Sequence, residues 1–150
     1  MSYSAGEALI LTQIQAVSGF STTSAVRGRW NLLSGGKSKS YCILRPGPHE
    51  ELQGALGGFY HTRWTTIAEI WVSLKDYGAD TATLETGRQG IIAKFRQMRK
   101  AGDTTGSIQD VTVRSSTDPF EMFPPNGRVA FLRQDLYIEW TEQTSVALSE

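Results

Sequence analysis

The chain reads as an α+β domain, an antiparallel or mixed sheet of about four to five strands with two helices packed on one face. Three observations point there. A helix-period segment near the N-terminus precedes strand-period segments that include a long Trp-bearing run; a second helix-period segment comes next; two further strands close the chain, the last of them long. A helix with one apolar stripe and a strand with one apolar face each leave a surface that must be covered, and they cover one another.

The first helix is expected from about Ala5 to Val17. Ser4 with Glu7 three residues later has the spacing of a capping box, in which each side chain satisfies a free backbone N–H of the first turn. Ile10, Leu11, Ile14 and Val17 share one helical face, and Gly19 is placed to end the helix in a left-handed conformation. Residues Ser18 to Ser40 follow, rich in Ser, Thr and Gly, with Phe20, Val26, Trp30, Leu32 and Leu33 as the large apolar side chains; Gly35-Gly36 reads as a flexible loop. Ser40 to Leu44 is a short β-prone run that the Pro46-Gly47-Pro48 turn should stop.

Phe59 to Leu74 is the first long strand region, with a break admitted near Thr65-Thr66. A regular pleat puts Trp64, Ala68, Ile70, Val72 and Leu74 on one face and Ile67, Glu69, Trp71 and Ser73 on the other; Ile67 and Trp71 suggest that this second face is partly covered. Asp76 to Asp80 should turn the chain into a second helix from about Thr83 to Lys100, with Leu84, Ile91, Phe95 and Met98 on its apolar stripe and Gly102 as the stop. Arg88 falls inside that stripe. Either its stem packs while the guanidinium reaches the rim, or it pairs with a neighbouring subunit.

Ser107 to Ser116 is a strand whose apolar phase slips between Ile108 and Val111, as a bulge would make it. Thr117 to Arg128 reads as a loop carrying Phe120, Met122 and Phe123. Val129 to Gln143 is the clearest strand: Ala130, Leu132, Leu136, Ile138 and Trp140 face one way, interrupted by Gln134, and Arg133, Asp135, Glu139 and Thr141 face the other with Phe131 and Tyr137. Burying Leu132, Leu136 and Ile138 contributes ~1.5–3 kcal/mol each, so their side should meet the helices. Residues from about Ser145 to Glu150 read as a tail.

Composition narrows the function. A chain of 150 residues reads as one domain that can bury about 70% of its unfolded surface, so it needs no disulfide or metal staple. Its 15 Lys and Arg balance 15 Asp and Glu, which gives no overall reason to expect nucleic acid or a membrane. Cys42, in an apolar run, reads as a small core residue. No apolar stretch approaches the roughly 20 residues that span a bilayer, and Glu7 stands where a signal peptide would carry a cation; a protein made without export is the simple expectation.

Motifs for chemistry are missing. Gly36-Lys37-Ser38 resembles the end of a phosphate-binding loop, but Asn31 occupies the position of its first glycine and no apolar strand precedes it. His49, Glu50, Glu51 and His61 could form a mixed metal site only by unspecific spacing, and surface positions are the better reading. There is no Gly-x-Ser-x-Gly elbow. The chain is therefore read as a non-enzyme with no cofactor and no metal.

Charge patterning says more. Between Glu7 and Glu50 there is no acidic residue but there are Arg27, Arg29, Lys37, Lys39 and Arg45; after Arg133 come Asp135, Glu139, Glu142 and Glu150 with no cation. That asymmetry suits head-to-tail contacts between subunits, against the plainer reading of a solvated loop and strand face. A third reading sets the basic loop near phosphate backbones. Phe120, Met122 and Phe123 would serve as interface anchors in an oligomer.

In the order of these elements the chain resembles the tail terminator family of long-tailed bacteriophages, small proteins that cap the tail tube at the end facing the head. The resemblance runs through the helix Ala5–Val17 and the loop after it, the strand region Phe59–Leu74, the helix Leu84–Lys100 and the final pair Ile108–Val113 and Val129–Thr141. It lies in pattern and order, and the long Ser18–Ser40 stretch and the Pro-rich loop Thr117–Arg128 depart from it. The resemblance implies a virion protein of the tail or neck, made in the host cytoplasm, that forms a ring, as a hexamer, stops tube polymerisation and docks to the head–tail connector. The interface residues expected on that reading are Arg27, Arg29, Lys37, Lys39, Arg45, Phe120, Met122, Phe123, Asp135 and Glu139, with the basic loop against a neighbour or near the DNA path. The alternatives are another head–tail joining or tube-like subunit, or a small α+β ligand-binding module or enzyme.

Overall fold

A computed structural model of the chain describes residues 3–28, 33, 39–52, 59–96, 108–124 and 129–145. Among them are two helices, α1 (Tyr3–Gln15) and α2 (Tyr77–Arg96). Six strands form one mixed sheet: β1 (Ala25–Arg27), β2 (Ser40–Leu52), β3 (Phe59–Ser73), β4 (Ile108–Ser116), β5 (Phe120–Met122) and β6 (Phe131–Ser145). The sheet order is β1-β2-β3-β6-β4, and β5 pairs with β6 beside β4. Only β1–β2 is parallel. The fold is the α+β class that the sequence predicts, with the three-residue β1 and β5 extending the sheet at its two sides.

Both helices lie on one face. Ile10, Ile14, Leu84, Ile91 and Phe95 pack with Cys42, Leu44, Ala68, Ile70, Val72, Leu132, Leu136, Ile138 and Trp140 in a single core. The strand alternation thus assigns faces correctly, and the phase slip in β4 is a real irregularity: its register to β6 shifts between Gln109 and Thr112 and again between Val113 and Ser115, with Asp110 at φ 55°. Cys42 is fully buried, which pushes its thiol above the ordinary cysteine range.

Several boundaries differ from the sequence reading. Helix α1 starts at Tyr3, before Ser4, so the capping box does not form; Ser4 instead accepts from Arg27, and Glu7 turns inward to Tyr3. The Pro46-Gly47-Pro48 segment does not stop β2. It forms a bulge, with Pro46 opposite Thr66 and His49 opposite Trp64, on a stretch where β2 is an outer strand and proline's missing N–H costs no ladder bond. Strand β3 runs through Thr65-Thr66 unbroken, in register with β6 from Phe59 to Ser73. Helix α2 begins at Tyr77, six residues earlier than its apolar period suggests, because the buried Asp80 reaches back to accept the backbone N–H groups of Lys75 (2.6 Å) and Asp76 (2.9 Å). Met98, Gly102 and the Gly35-Gly36 stretch lie outside the described residues.

The segment between β6 and β4 is not all loop. Ser116 stands opposite Leu136 and Phe120 opposite Arg133, so β5 continues the path of β4 after one extra residue. Thr117 bridges the gap: its N–H donates to Asp135 O (2.9 Å), its Oγ1 accepts from Asp135 N (3.0 Å), and its O accepts from Gln134 Nε2 (2.7 Å). That bond explains how Gln134 sits on the apolar face.

Candidate assembly surface

The second face of the sheet is held by two different materials. Near β1 it is apolar: Leu33, from the β1–β2 connection, packs with Tyr41, Ile43, Trp71 and Phe131, and Val26 adds to the cluster. Beside that cluster lies a four-membered charge lattice. Arg45 Nε is paired with Glu69, Arg133 Nη2 lies 3.0 Å from Glu69 Oε2, and Arg133 meets Asp135 in a fork at 2.8 and 3.0 Å. Arg45 Nη2 also lies 3.7 Å from Asp135. Glu69 and Asp135 are buried, and Trp71 Nε1 donates to Glu69 at 3.1 Å. Two cations and two anions cancel, as burial of charge demands.

Arg133 connects this lattice to the sheet edge. Its guanidinium carbon lies 5.0 Å from the Trp71 ring centroid and 5.3 Å from that of Phe120, and Nη1 lies 3.2 Å from Met122 Sδ. The guanidinium thus makes cation–π contacts with Trp71 of β3 and Phe120 of β5. Phe120 and Met122 are still 38% and 37% exposed, and Phe123 beyond them is 61% exposed. Val129 and Tyr77 are 53% and 65% exposed. These five residues belong to segments at one end of the sheet: Met122 pairs with Phe131, Val129 lies two residues before that strand, and Leu74 N, just before α2, donates to Ala130 O at 3.0 Å. Among the described residues they are the exposed large hydrophobics.

The other expected interface residues have partners in their own chain. Arg27 is bonded to Ser4 and lies 3.6 Å from Glu7; Lys39 is paired with Asp80; Arg45 and Asp135 belong to the lattice; Glu139 is flanked by Arg63 (3.2 Å) and Arg114 (3.3 Å). Arg45 and Asp135, both expected at subunit contacts, lie 3.7 Å apart within the chain, because pairing of β2 and β6 on either side of β3 brings the two ends of the charge asymmetry together. Arg29 and Lys37 lie outside the described residues. Sequence reasoning missed Glu69 and Arg133 as partners, since single charges on a strand face carry no signal until register is known.

No protein-family model matches the chain, and no curated protein matches it.

Among the described residues no three His, Cys, Asp or Glu side chains gather to hold a metal ion. His49 is exposed and its ring lies tilted against Trp64, 4.9 Å between centroids. Clefts of about 270 and 290 Å³ flank α2 and are lined by small side chains such as Ser18, Thr86, Gly87, Gly90 and Ala93. No helix is long and apolar enough to cross a membrane among the described residues.

Proposed function

We propose that the chain is a structural virion protein of a phage tail or neck, which caps the tail tube as a ring and docks to the head connector. One observation carries the self-association in this reading: the exposed large hydrophobics among the described residues, Tyr77, Phe120, Met122, Phe123 and Val129, all belong to segments at one end of the sheet. Large aromatic and Met side chains are enriched at interface cores. The resemblance in element order adds the tail. The rigid lattice behind Phe120 and Met122 supports the reading further, because an anchor already held in place loses little entropy on docking.

The test is size-exclusion chromatography with light scattering, followed by negative-stain imaging. A ring of about six copies is the expected result. A monomer at every concentration, together with a bound small molecule in native mass spectrometry, would replace this reading with that of a ligand-binding module or enzyme.

A further inference from the structure

Arg88 carries a buried polar atom that no group of the described residues satisfies. It lies on the inward half of α2, and its Nε is buried with no hydrogen-bond partner, the single such side-chain atom among the described residues. A buried guanidinium N–H without an acceptor is costly, which makes Arg88 Nε a site where an added acceptor would stabilise. Beside it opens a cleft of about 180 Å³ between α2 and the start of β5, lined by Thr81, Leu84, Glu85, Arg88, Pro119 and Gln134. Leu84 and Gln134 are buried and form its floor. Gln134 is already engaged through Nε2 with Thr117 O, and Glu85, exposed on the rim, accepts from Gln89 at 3.2 Å. Among the described residues Arg88 Nε is the buried donor in the cleft that has no acceptor.

We infer that this cleft is a socket for a carboxylate side chain carried by a second copy of the chain. The volume suits one inserted side chain and no large ligand. A carboxylate can accept from Nε and a terminal nitrogen of a guanidinium together, in a fork. The same chain presents the complementary charge: Asp118 and Glu121, on the segment that borders the cleft, are exposed and make no ion pair among the described residues. One surface thus carries an unmatched cation and unmatched anions, which a second copy can match. This inference rests on the self-association proposed above and is independent of a ring.

The test uses Arg88→Lys in the full chain, mixed as unlabelled and heavy-nitrogen-labelled protein and treated with a carbodiimide, which joins an amine directly to a carboxylate it touches. The expected result is a linked peptide pair of mixed label between position 88 and an acidic peptide. Links of a single label only, or none at position 88, overturn the inference. Arg88→Met keeps the packed stem and removes the charge, and should weaken self-association roughly 30-fold or more, the usual effect of truncating a buried charge pair; unchanged association by a folded Arg88→Met protein overturns it as well. Rings without mixed-label links at position 88 would leave the proposed function standing and remove the socket. Mixed-label links without rings would do the reverse.

Discussion

The indole of Trp140 occupies the space that a side chain at Gly6 would fill. Trp140 is fully buried, and its Nε1 donates to Thr66 Oγ1 at 3.1 Å. The Tyr3 hydroxyl donates to Glu7 at 2.6 Å, so at 3.1 Å it accepts from Thr66. A relay of donors therefore runs from Trp140 through Thr66 and Tyr3 to the buried Glu7, and Arg27 stands 3.6 Å beyond. It ties β6, β3, α1 and the end of β1 together. Burial, followed by the bond to Glu7, pushes the Tyr3 phenol above its ordinary range.

Gly6→Ala should be destabilising. In an exposed helix interior the change favours folding by roughly 0.5–1 kcal/mol. Here the new Cβ overlaps a ring with nowhere to move, and overpacking costs about 1–3 kcal/mol. Urea unfolding should give a lower midpoint than the parent. A higher midpoint would mean that α1 is not seated on Trp140.

Thr66→Val keeps the shape and removes the centre of the relay. It leaves the Trp140 N–H and the Tyr3 oxygen without their partner in a dry site, at a cost of about 1–3 kcal/mol. Thermal or urea unfolding reads this directly, and Thr66→Ser should recover most of the loss.

Glu69→Ala should cost about 3–5 kcal/mol, because it strands two guanidinium groups beside a single remaining carboxylate, Asp135. Loss of Arg133 orientation should also free Phe120, which it faces at 5.3 Å. Equilibrium unfolding measures the first effect, and faster proteolysis between β4 and β6 the second.

Asp80 supplies a pH dependence. The bond from Lys39 holds its carboxyl below the ordinary carboxylate range, opposed by burial and helped by the Lys75 and Asp76 backbone N–H groups. A folded-state pKa below the unfolded one makes this contribution complete above the unfolded value of about 3.9 and progressively lost as pH falls through the folded one. The acid limb of stability should therefore be shallower in Asp80→Asn than in the parent, measured by urea midpoints from neutral pH down into acid. Equal slopes would remove the linkage.

Phe123→Asp tests the apolar end. Phe123 is 61% exposed, so folding stability should change by no more than about 0.5 kcal/mol. Light scattering should show loss of the assembled species at an unchanged melting temperature. Assembly at parental strength would exclude this end of the sheet from the contact.

Periodicity alone determined much of this molecule: the α+β class, the inward faces of β3 and β6, the slip in β4, the burial of Cys42 and the stripe of α2. These follow because alternation of apolar and polar side chains fixes which side of a strand or helix is covered, whatever covers it. Element ends were less legible. The start of α2 depends on Asp80 reaching back over the chain, and the persistence of β2 through two prolines depends on its being an outer strand there. The charges were legible as an imbalance along the chain but not as pairs. Only the register of β2, β3 and β6 brought Arg45, Glu69, Arg133 and Asp135 together into one lattice within the chain. Pairing across distant strands is set by which neighbours the whole sheet brings together, and no local pattern of residues encodes it.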